Sequence, residues 1–244
     1  MIADKDELLR HTGDDPFIRY DVRRLPGHPP VRLGRAAAVV RLPMMRRSPH
    51  LTVIGPPDDV DALLRWYAEH GVPEGVRGVS VDQAHESVLL RHFAVDGGGD
   101  WDWMWTTREP QVVPQESDLV PLDDDRDAAD IMRLNEIGSP TAESLPGQGV
   151  TEHWIGLRER GELIAAAAVH RTSGGAQHLT GIVVHPHHRG RRLGLAMTAH
   201  LTRRAVRMDG VCTLGMYSDN DRARALYPGL GYAVAHAWAS RRLA

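Results

Sequence analysis

The stretch LTGIVVHPHHRGRRLGLAM, residues 179–197, constrains the fold more than any other part of the chain. Its first half is apolar and β-branched, which predicts a buried strand. Pro186 has no N–H to donate, so regular strand pairing should end there. Gly190 and the apolar spacing after Gly194 predict a turn and then a helix that continues to about Met208. A buried strand that leads through a basic turn into a helix is typical of α/β folds.

The basic turn has the features of an anion-binding loop. The first amide groups of a helix have no intrahelical acceptor, and the helix dipole places partial positive charge there. Gly190 and Gly194 leave the backbone accessible, while Arg189, Arg191 and Arg192 add charge. The turn therefore predicts a pyrophosphate site. The Walker loop and the GxGxxG fingerprint are both absent from the sequence.

Metal and nucleic acid are the competing ligands for this turn. His185, His187 and His188 suggest a metal, but Pro186 separates them and no carboxylate cluster is near in sequence. Solvated loop histidines are the simpler interpretation. The formal net charge of −3 gives no overall basic field of the kind that nucleic-acid binders use. We expect no metal and no nucleic-acid partner.

A polar segment with two prolines, residues 108–118, is interpreted as a linker. It divides the chain into an N-terminal α/β domain, residues 1–115, and a C-terminal domain, residues 116–244. The C-terminal pattern predicts the element order β-α-loop-β-β-β-α-β-α-β. The predicted fold class is therefore α/β (α+β), with a mixed, mostly antiparallel central sheet flanked by helices.

The first half has short apolar runs and one clear helix. RAAAVVRLP and HLTVIG predict buried strands, and residues 57–71 have helical apolar spacing between a proline start and a glycine end. Gly97–Gly99 predict a turn that leads into a strand with three tryptophans on one face. Core packing, interdomain packing or a dimer contact would each explain that tryptophan stripe, which consists of Trp101, Trp103 and Trp105.

The remaining composition indicates a cytoplasmic protein. Cys212 is the only cysteine, so an internal disulfide is impossible, and it is interpreted as a small buried hydrophobe. The polar, acidic N-terminus is unlike a signal peptide. No apolar run approaches the roughly 20 residues that cross a bilayer. We expect no membrane partner.

Two segments resemble motifs of the GNAT N-acetyltransferase family. Val184-His185-Pro186 followed by Arg189-Gly190-Arg191-Arg192-Leu193-Gly194 is similar to the family's acetyl-CoA motif, V-x-P and then R-x-x-G-x-G/A. Arg192 stands where the family usually has its first glycine. NDRARALYPGLGY, residues 220–232, is similar to the family's N-x-x-A-x-x-L-Y-x-x-x-G-F/Y segment. The strong resemblance covers residues 178–232.

The resemblance implies that acetyl-CoA is the cosubstrate. In this family two central parallel strands separate near a bulge and admit the pantetheine arm, and here those strands would be residues 179–186 and 211–218. Ile182 and Val184 would offer backbone groups to the arm, and the N–H near Val183 would polarise the thioester oxygen. The full predicted coenzyme-binding set is Ile182, Val183, Val184, Arg189, Gly190, Arg191, Arg192, Leu193, Gly194, Leu195, Ala196, Asn220 and Arg224.

The resemblance also implies two catalytic residues. Tyr227 stands where the family commonly has its general acid, and a phenol of pKa about 10 suits proton donation to a thiolate. His178 stands at a strand position where several members have a base that acts directly or through water. The predicted activity is transfer of an acetyl group to a primary amine, of a small molecule, in a ternary complex.

Two other functions remain open: a non-catalytic acyl-CoA-binding regulatory protein, and an acetyltransferase of protein or peptide amines. Acidic residues around Glu143 are candidates to attract a cationic acceptor. The first half would cap the catalytic half, shape the acceptor pocket or support a homodimer. It is either an accessory domain or a degenerate copy of the same fold.

Overall fold

The computed structural model describes residues 2–23, 28–41, 48–142 and 144–244. Glu143, which was considered above as part of an acceptor site, lies outside the described residues. So does the end of the predicted strand RAAAVVRLP. No helix within the described ranges is both long enough and apolar enough to cross a membrane.

The described residues form seven α-helices around one sheet. The helices, in chain order, are α1 Lys5–His11, α2 Pro16–Tyr20, α3 Pro57–His70, α4 Glu86–His92, α5 Ala128–Gly138, α6 Leu193–Asp209 and α7 Asp221–Leu226. The strands are β1 Val31–Leu33, β2 Ala36–Arg41, β3 His50–Ile54, β4 Gly78–Asp82, β5 Val95–Thr106, β6 Val120–Leu122, β7 His153–Glu159, β8 Glu162–Arg171, β9 Gln177–Val184, β10 Cys212–Tyr217 and β11 Ala233–Leu243.

All eleven strands belong to one mixed sheet, in the order β1-β2-β3-β4-β11-β5-β10-β9-β8-β7-β6. Only β3 with β4 and β9 with β10 are parallel pairs. The mixed, mostly antiparallel sheet and flanking helices confirm the predicted fold class. The element order predicted for residues 116–244 is also observed.

The last strand of each half lies beside the other half. β11, from the C-terminal half, pairs with β4 and β5, and β5, from the N-terminal half, pairs with β10. The two predicted domains therefore share one continuous sheet, and each half supplies a strand to the interior of the other.

The sheet is covered on both faces. Leu179, Leu214 and Met104 pack with α6 in one cluster. On the opposite face Trp103 and Trp238 pack with α1 and α2 in another. Trp103 is fully buried, so the tryptophan stripe of β5 is core at the junction of the two halves.

The predicted glycine turn at residues 97–99 is wrong. These glycines lie inside β5 and pair with β11. A Cβ on Gly98 would lie 2.0 Å from the carbonyl oxygen of Ser240. The glycines therefore permit close approach of two backbones rather than a change of direction.

Candidate active site

β9 and β10 separate after two residue pairs. Among the described residues they pair in register only at His178 with Thr213 and at Leu179 with Leu214. β9 nevertheless continues to Val184 and β10 to Tyr217. The sheet is thus open between the carboxyl ends of two parallel strands, which is where α/β proteins commonly bind ligands.

A bulge in β9 accompanies this opening. Opposite β8, Ala166 pairs with Val183 and Ala168 pairs with Thr180, so β9 has one extra residue in this interval. Gly181 lies in the bulge with φ of +57°. A Cβ at Gly181 would lie 2.6 Å from the Cβ of Ser144. Glycine is therefore required here both by backbone conformation and by space.

A cavity of about 870 Å³ lies at the end of β9, between the start of α6 and α7, the helix that follows β10. Most of the predicted coenzyme-binding set lines it, together with the predicted acid. The predicted residues in its wall are Ile182, Val183, Val184, Arg189, Gly190, Arg192, Leu193, Gly194, Leu195, Asn220 and Tyr227. The sequence motifs thus converge on one concave site.

The wall includes the start of α6. The first backbone hydrogen bond of this helix runs from the N–H of Ala196 to the carbonyl of Arg192. The preceding amides, from Leu193 to Leu195, have no acceptor within the helix because they belong to its first turn. A Cβ on Gly190 would meet no atom within 4 Å, so this backbone is open to a ligand. Amide donors at the positive end of a 17-residue helix dipole form a suitable diphosphate site.

Arg192 adopts the left-handed conformation at the N-cap of α6, with φ of +61°. This conformation explains why the similar family motif usually has glycine here. An arginine in this conformation has a backbone cost of roughly 1–2 kcal/mol. Arg192 is one of the residues that line the cavity, so its positive charge is near the site.

Arg189 connects the loop to α5. Its Nη2 donates to the carbonyl oxygen of Gly138 at 2.7 Å, and its Nε donates to that of Val184 at 3.4 Å. Gly138 ends α5, so a cation meets the negative end of the helix dipole. This arrangement fixes the position of the loop between the end of β9 and the start of α6.

Three predicted coenzyme contacts lie outside the cavity wall. The Arg191 side chain instead pairs with Glu159, with an N–O distance of 3.0 Å. Ala196 is fully buried inside α6. The Arg224 side chain turns to Asp102, at 3.1 Å, and to the carbonyl of Ser218. Coenzyme binding by these three residues stays a prediction, and their side chains have other contacts in this structure.

Arg222 is a cavity residue that the sequence analysis missed. Arg224, two residues further on, instead contacts Asp102 and the Ser218 carbonyl. The α7 motif contained a signal for Arg222. Ala223 and Leu226 belong to that motif and line the wall, and Arg222 lies on the same helix face, one residue before Ala223 and four before Leu226. Gly138 at the end of α5, Ser139 after it and Thr198 in α6 also line the wall and belong to no predicted motif.

Tyr227 closes the cavity at the end of α7. Its ring packs against Tyr232, with 5.7 Å between centroids. Burial raises the pKa of the Tyr227 phenol to about 12. The hydroxyl is therefore protonated at neutral pH and able to donate. Asn220 caps α7 by accepting a hydrogen bond at Oδ1 from the N–H of Ala223, at 3.1 Å.

His178 lies beside the opening rather than in the cavity wall. Its register neighbours place it on the face of the sheet opposite Tyr227. Its Nδ1 lies 2.9 Å from the hydroxyl of Thr213, which donates to the carbonyl of Gln177. Because that hydroxyl has one proton, Nδ1 is the donor to Thr213 and Nε2 has the lone pair.

The Nε2 atom of His178 faces Gly215, one residue beyond the last β9–β10 pair. A Cβ built on Gly215 would lie 3.9 Å from this nitrogen. Burial lowers the pKa of His178 to about 4. The imidazole is therefore neutral at pH 7, but it is a weaker base than a solvated histidine.

The histidines of the basic turn contact one another and a neighbouring arginine. His185 and His187 lie with ring centroids 5.3 Å apart, and His188 hydrogen-bonds to Arg191. Across the ranges that the structure describes, no group of three or more histidine, cysteine, aspartate or glutamate residues is arranged to hold a metal ion.

Comparison with known proteins agrees with this geometry. The family model described as "Acetyltransferase (GNAT) family" matches residues 123–232. No curated protein matches the sequence significantly. Residues 123–232 therefore match the GNAT acetyltransferase family, as the two motifs predicted.

Solved structures show the same fold across both halves. A GNAT-family acetyltransferase from Colwellia psychrerythraea is 14% identical, with a TM-score of 0.57 over 100% of this chain and 97% of that chain. GCN5-related N-acetyltransferases from Kribbella flavida and Sphaerobacter thermophilus are each 16% identical, with TM-scores of 0.56 and 0.57. They cover 88% and 85% of this chain, and 89% and 76% of their own. At these identities the likeness concerns the fold alone.

Proposed function

We propose that this protein transfers an acetyl group from acetyl-CoA to the primary amine of a small molecule. The observation that carries the proposal is the separation of β9 from β10 beside a cavity that has the basic loop at one side and Tyr227 at the other. Acetyl-CoA supplies an activated thioester. The amide donors at the start of α6 and the guanidinium groups of Arg189, Arg192 and Arg222 match the charge of its phosphates.

The residues of the opening would position the thioester. Ile182 and Val184 have no β10 partner in register, and their backbone groups on that side are assigned to pairing with an amide-containing arm. Each such hydrogen bond contributes roughly 0.5–1.5 kcal/mol, and several together fix the reacting carbon. The N–H near Val183 is the proposed donor to the thioester oxygen.

Proton transfer is assigned to residues on opposite faces of the sheet. The amine nitrogen attacks the acetyl carbon, the C–N bond forms and the C–S bond breaks. The Tyr227 hydroxyl donates its proton to the leaving sulfur, and the amine loses its proton to His178 Nε2 through water. Acid–base assistance of this kind typically contributes about 10²–10⁴ in rate.

The first half is proposed to be a degenerate second copy of the catalytic fold. β2-β3-α3-β4-α4-β5 repeats the order β8-β9-α6-β10-α7-β11, and each series encloses one helix between two parallel strands. In the first half, α3 begins at Pro57 after Gly55 and Pro56 and has no arginine at its start. That copy has therefore lost the features of a phosphate-binding loop.

Calorimetry and turnover test the proposed function together. Acetyl-CoA should bind with a stoichiometry of one per chain. Tyr227→Phe should retain the affinity and reduce kcat by about 10²-fold or more on any amine that the wild type acetylates. Tight binding without turnover across a broad panel of small amines and peptides would instead indicate a non-catalytic acyl-CoA-binding protein.

A further inference from the structure

Asp102 is a buried carboxylate that the first half contributes to the catalytic half. It lies on β5 between Trp101 and Trp103, and its side chain is 3% exposed. Because side chains alternate along a strand, Asp102 faces away from the tryptophans and towards α7. The sequence DWDWMW thus supplies packing to one face and a charge to the other.

The carboxylate binds both the turn before α7 and the helix itself. Oδ1 accepts from the Ser218 hydroxyl at 3.0 Å, and Oδ2 lies 3.1 Å from Nη2 of Arg224. The same Nη2 donates to the carbonyl of Ser218 at 2.8 Å. Gln83 donates to the Ser218 hydroxyl at 2.9 Å, so a second residue of the first half supports this turn.

These contacts matter because α7 is only six residues long. Isolated helices of this length are unstable in water, so tertiary contacts must fix the position of α7. α7 begins after Asn220 and ends before Tyr227, and both residues line the cavity. A shift of α7 would therefore move the phenol relative to the opening between β9 and β10.

We infer that Asp102 is a positioning residue for acetyl transfer, acting through Ser218 and Arg224 on the placement of Tyr227. The inference rests on the proposed function for its catalytic meaning. It assigns a specific contribution to the first half, because β5 lies between two strands of the second half and its Asp102 holds α7 in place.

Asp102→Asn tests the inference by removing the charge while keeping the shape. We expect kcat to fall about 10- to 100-fold, as for displacement of a reacting group by about 1 Å, with acetyl-CoA affinity within about threefold of wild type. The effect should not add to that of Tyr227→Phe, because both changes remove the same proton donor. Additive effects, or an unchanged kcat, would overturn the inference.

Asp100→Asn is the matched control. Asp100 lies on the same strand and face and pairs with an arginine, Arg241, at 2.7 Å, but it makes no side-chain contact with α7 among the described hydrogen bonds. We expect its kcat to stay within about twofold of wild type, because the change leaves the side-chain contacts of α7 untouched. If Asp102→Asn does not fold, Arg224→Gln removes the other partner of the same contact, and the Arg224 side chain is half-exposed. This variant should show the same decrease in kcat. Arg224→Lys, which keeps the charge, should restore part of the activity.

Hydrogen exchange separates failure of this inference from failure of the proposed function. Amides of residues 219–227 should exchange faster in Asp102→Asn than in wild type or Asp100→Asn. If the wild type acetylates no amine, the proposed function fails, and exchange alone decides whether Asp102 holds α7. Unchanged exchange in this segment contradicts the inference whether or not the wild type is active.

Discussion

Single residues at the opening combine structural and chemical roles, and His178 is the clearest case. Its pKa is about 4 in the folded protein, against 6.5 for a solvated histidine, because the ring is buried. Below pH 6.5 the unfolded chain binds a proton that the folded protein does not. Stability should therefore fall as pH decreases from 6.5 towards 4, by about 1.4 kcal/mol per pH unit.

Chemical denaturation at pH 7 and pH 5 checks this prediction. Wild type should lose about 2 kcal/mol more than His178→Gln over this interval. Burial also lowers the pKa values of His170 and His153, so the comparison of the two proteins, rather than the slope of either, isolates His178. Equal losses in both proteins would show that His178 titrates normally.

Replacing Arg192 with glycine should raise the stability of the protein and lower its affinity for acetyl-CoA. Arg192→Gly relieves the left-handed backbone and should stabilise the protein by about 1 kcal/mol. It also removes the positive charge of a cavity-lining residue, so acetyl-CoA affinity should fall by about tenfold. Arg192→Ala, the control, should lose the same affinity without gaining stability. Thermal melts and calorimetry measure both effects, and a stabilised Arg192→Ala would contradict the backbone explanation.

At the scale of elements, the bulge at Gly181 shapes the opening. Gly181→Ala places a Cβ against Ser144 in a left-handed conformation, which should cost about 1–3 kcal/mol in unfolding free energy. Acetyl-CoA affinity should fall because β9 must shift.

Gly149→Ala is the control for the bulge. Gly149 also has a positive φ, +65°, but a Cβ there would meet nothing within 4 Å. Gly149→Ala should lose unfolding free energy only through its left-handed backbone, and its acetyl-CoA affinity should be unchanged. Equal affinity in both variants would show that the bulge does not shape the coenzyme site.

Sequence patterns predicted the elements that have strong local signals. α3 and α6 follow their apolar spacing, and β7, β8 and β9 are the three consecutive strands of the predicted element order. α1, α2 and α4 were missed because helices of five to seven residues are too short for clear periodicity. The motifs located the cavity, but side-chain direction at Arg191 and Arg224 depends on partners distant in sequence.

At the scale of the whole molecule, the halves are joined because each supplies a strand to the other. β5 pairs with β10 and β11 of the C-terminal half, and β11 pairs with β4 and β5 of the N-terminal half; we call this the strand exchange. No local pattern encodes this exchange, because strand pairing between residues more than 100 positions apart depends on the complete fold. The predicted boundary near residue 115 therefore gives no information about which half completes which part of the sheet.

The exchange predicts that the halves do not fold separately. In residues 116–244 alone, β11 would lack both neighbours, and Trp238, fully buried in the complete chain, would be exposed. We expect residues 1–115 and 116–244 to lack cooperative melting alone and to regain it when co-expressed. A cooperative thermal transition for residues 116–244 alone would contradict this account.

The most direct measurement of the central claim is a crystal structure with acetyl-CoA. The account predicts the pyrophosphate at the backbone amides around Gly190 and the start of α6, the pantetheine arm between β9 and β10, and the sulfur within hydrogen-bonding reach of the Tyr227 hydroxyl. A coenzyme bound elsewhere on the chain, or an opening between β9 and β10 that stays empty at saturating acetyl-CoA, would contradict it.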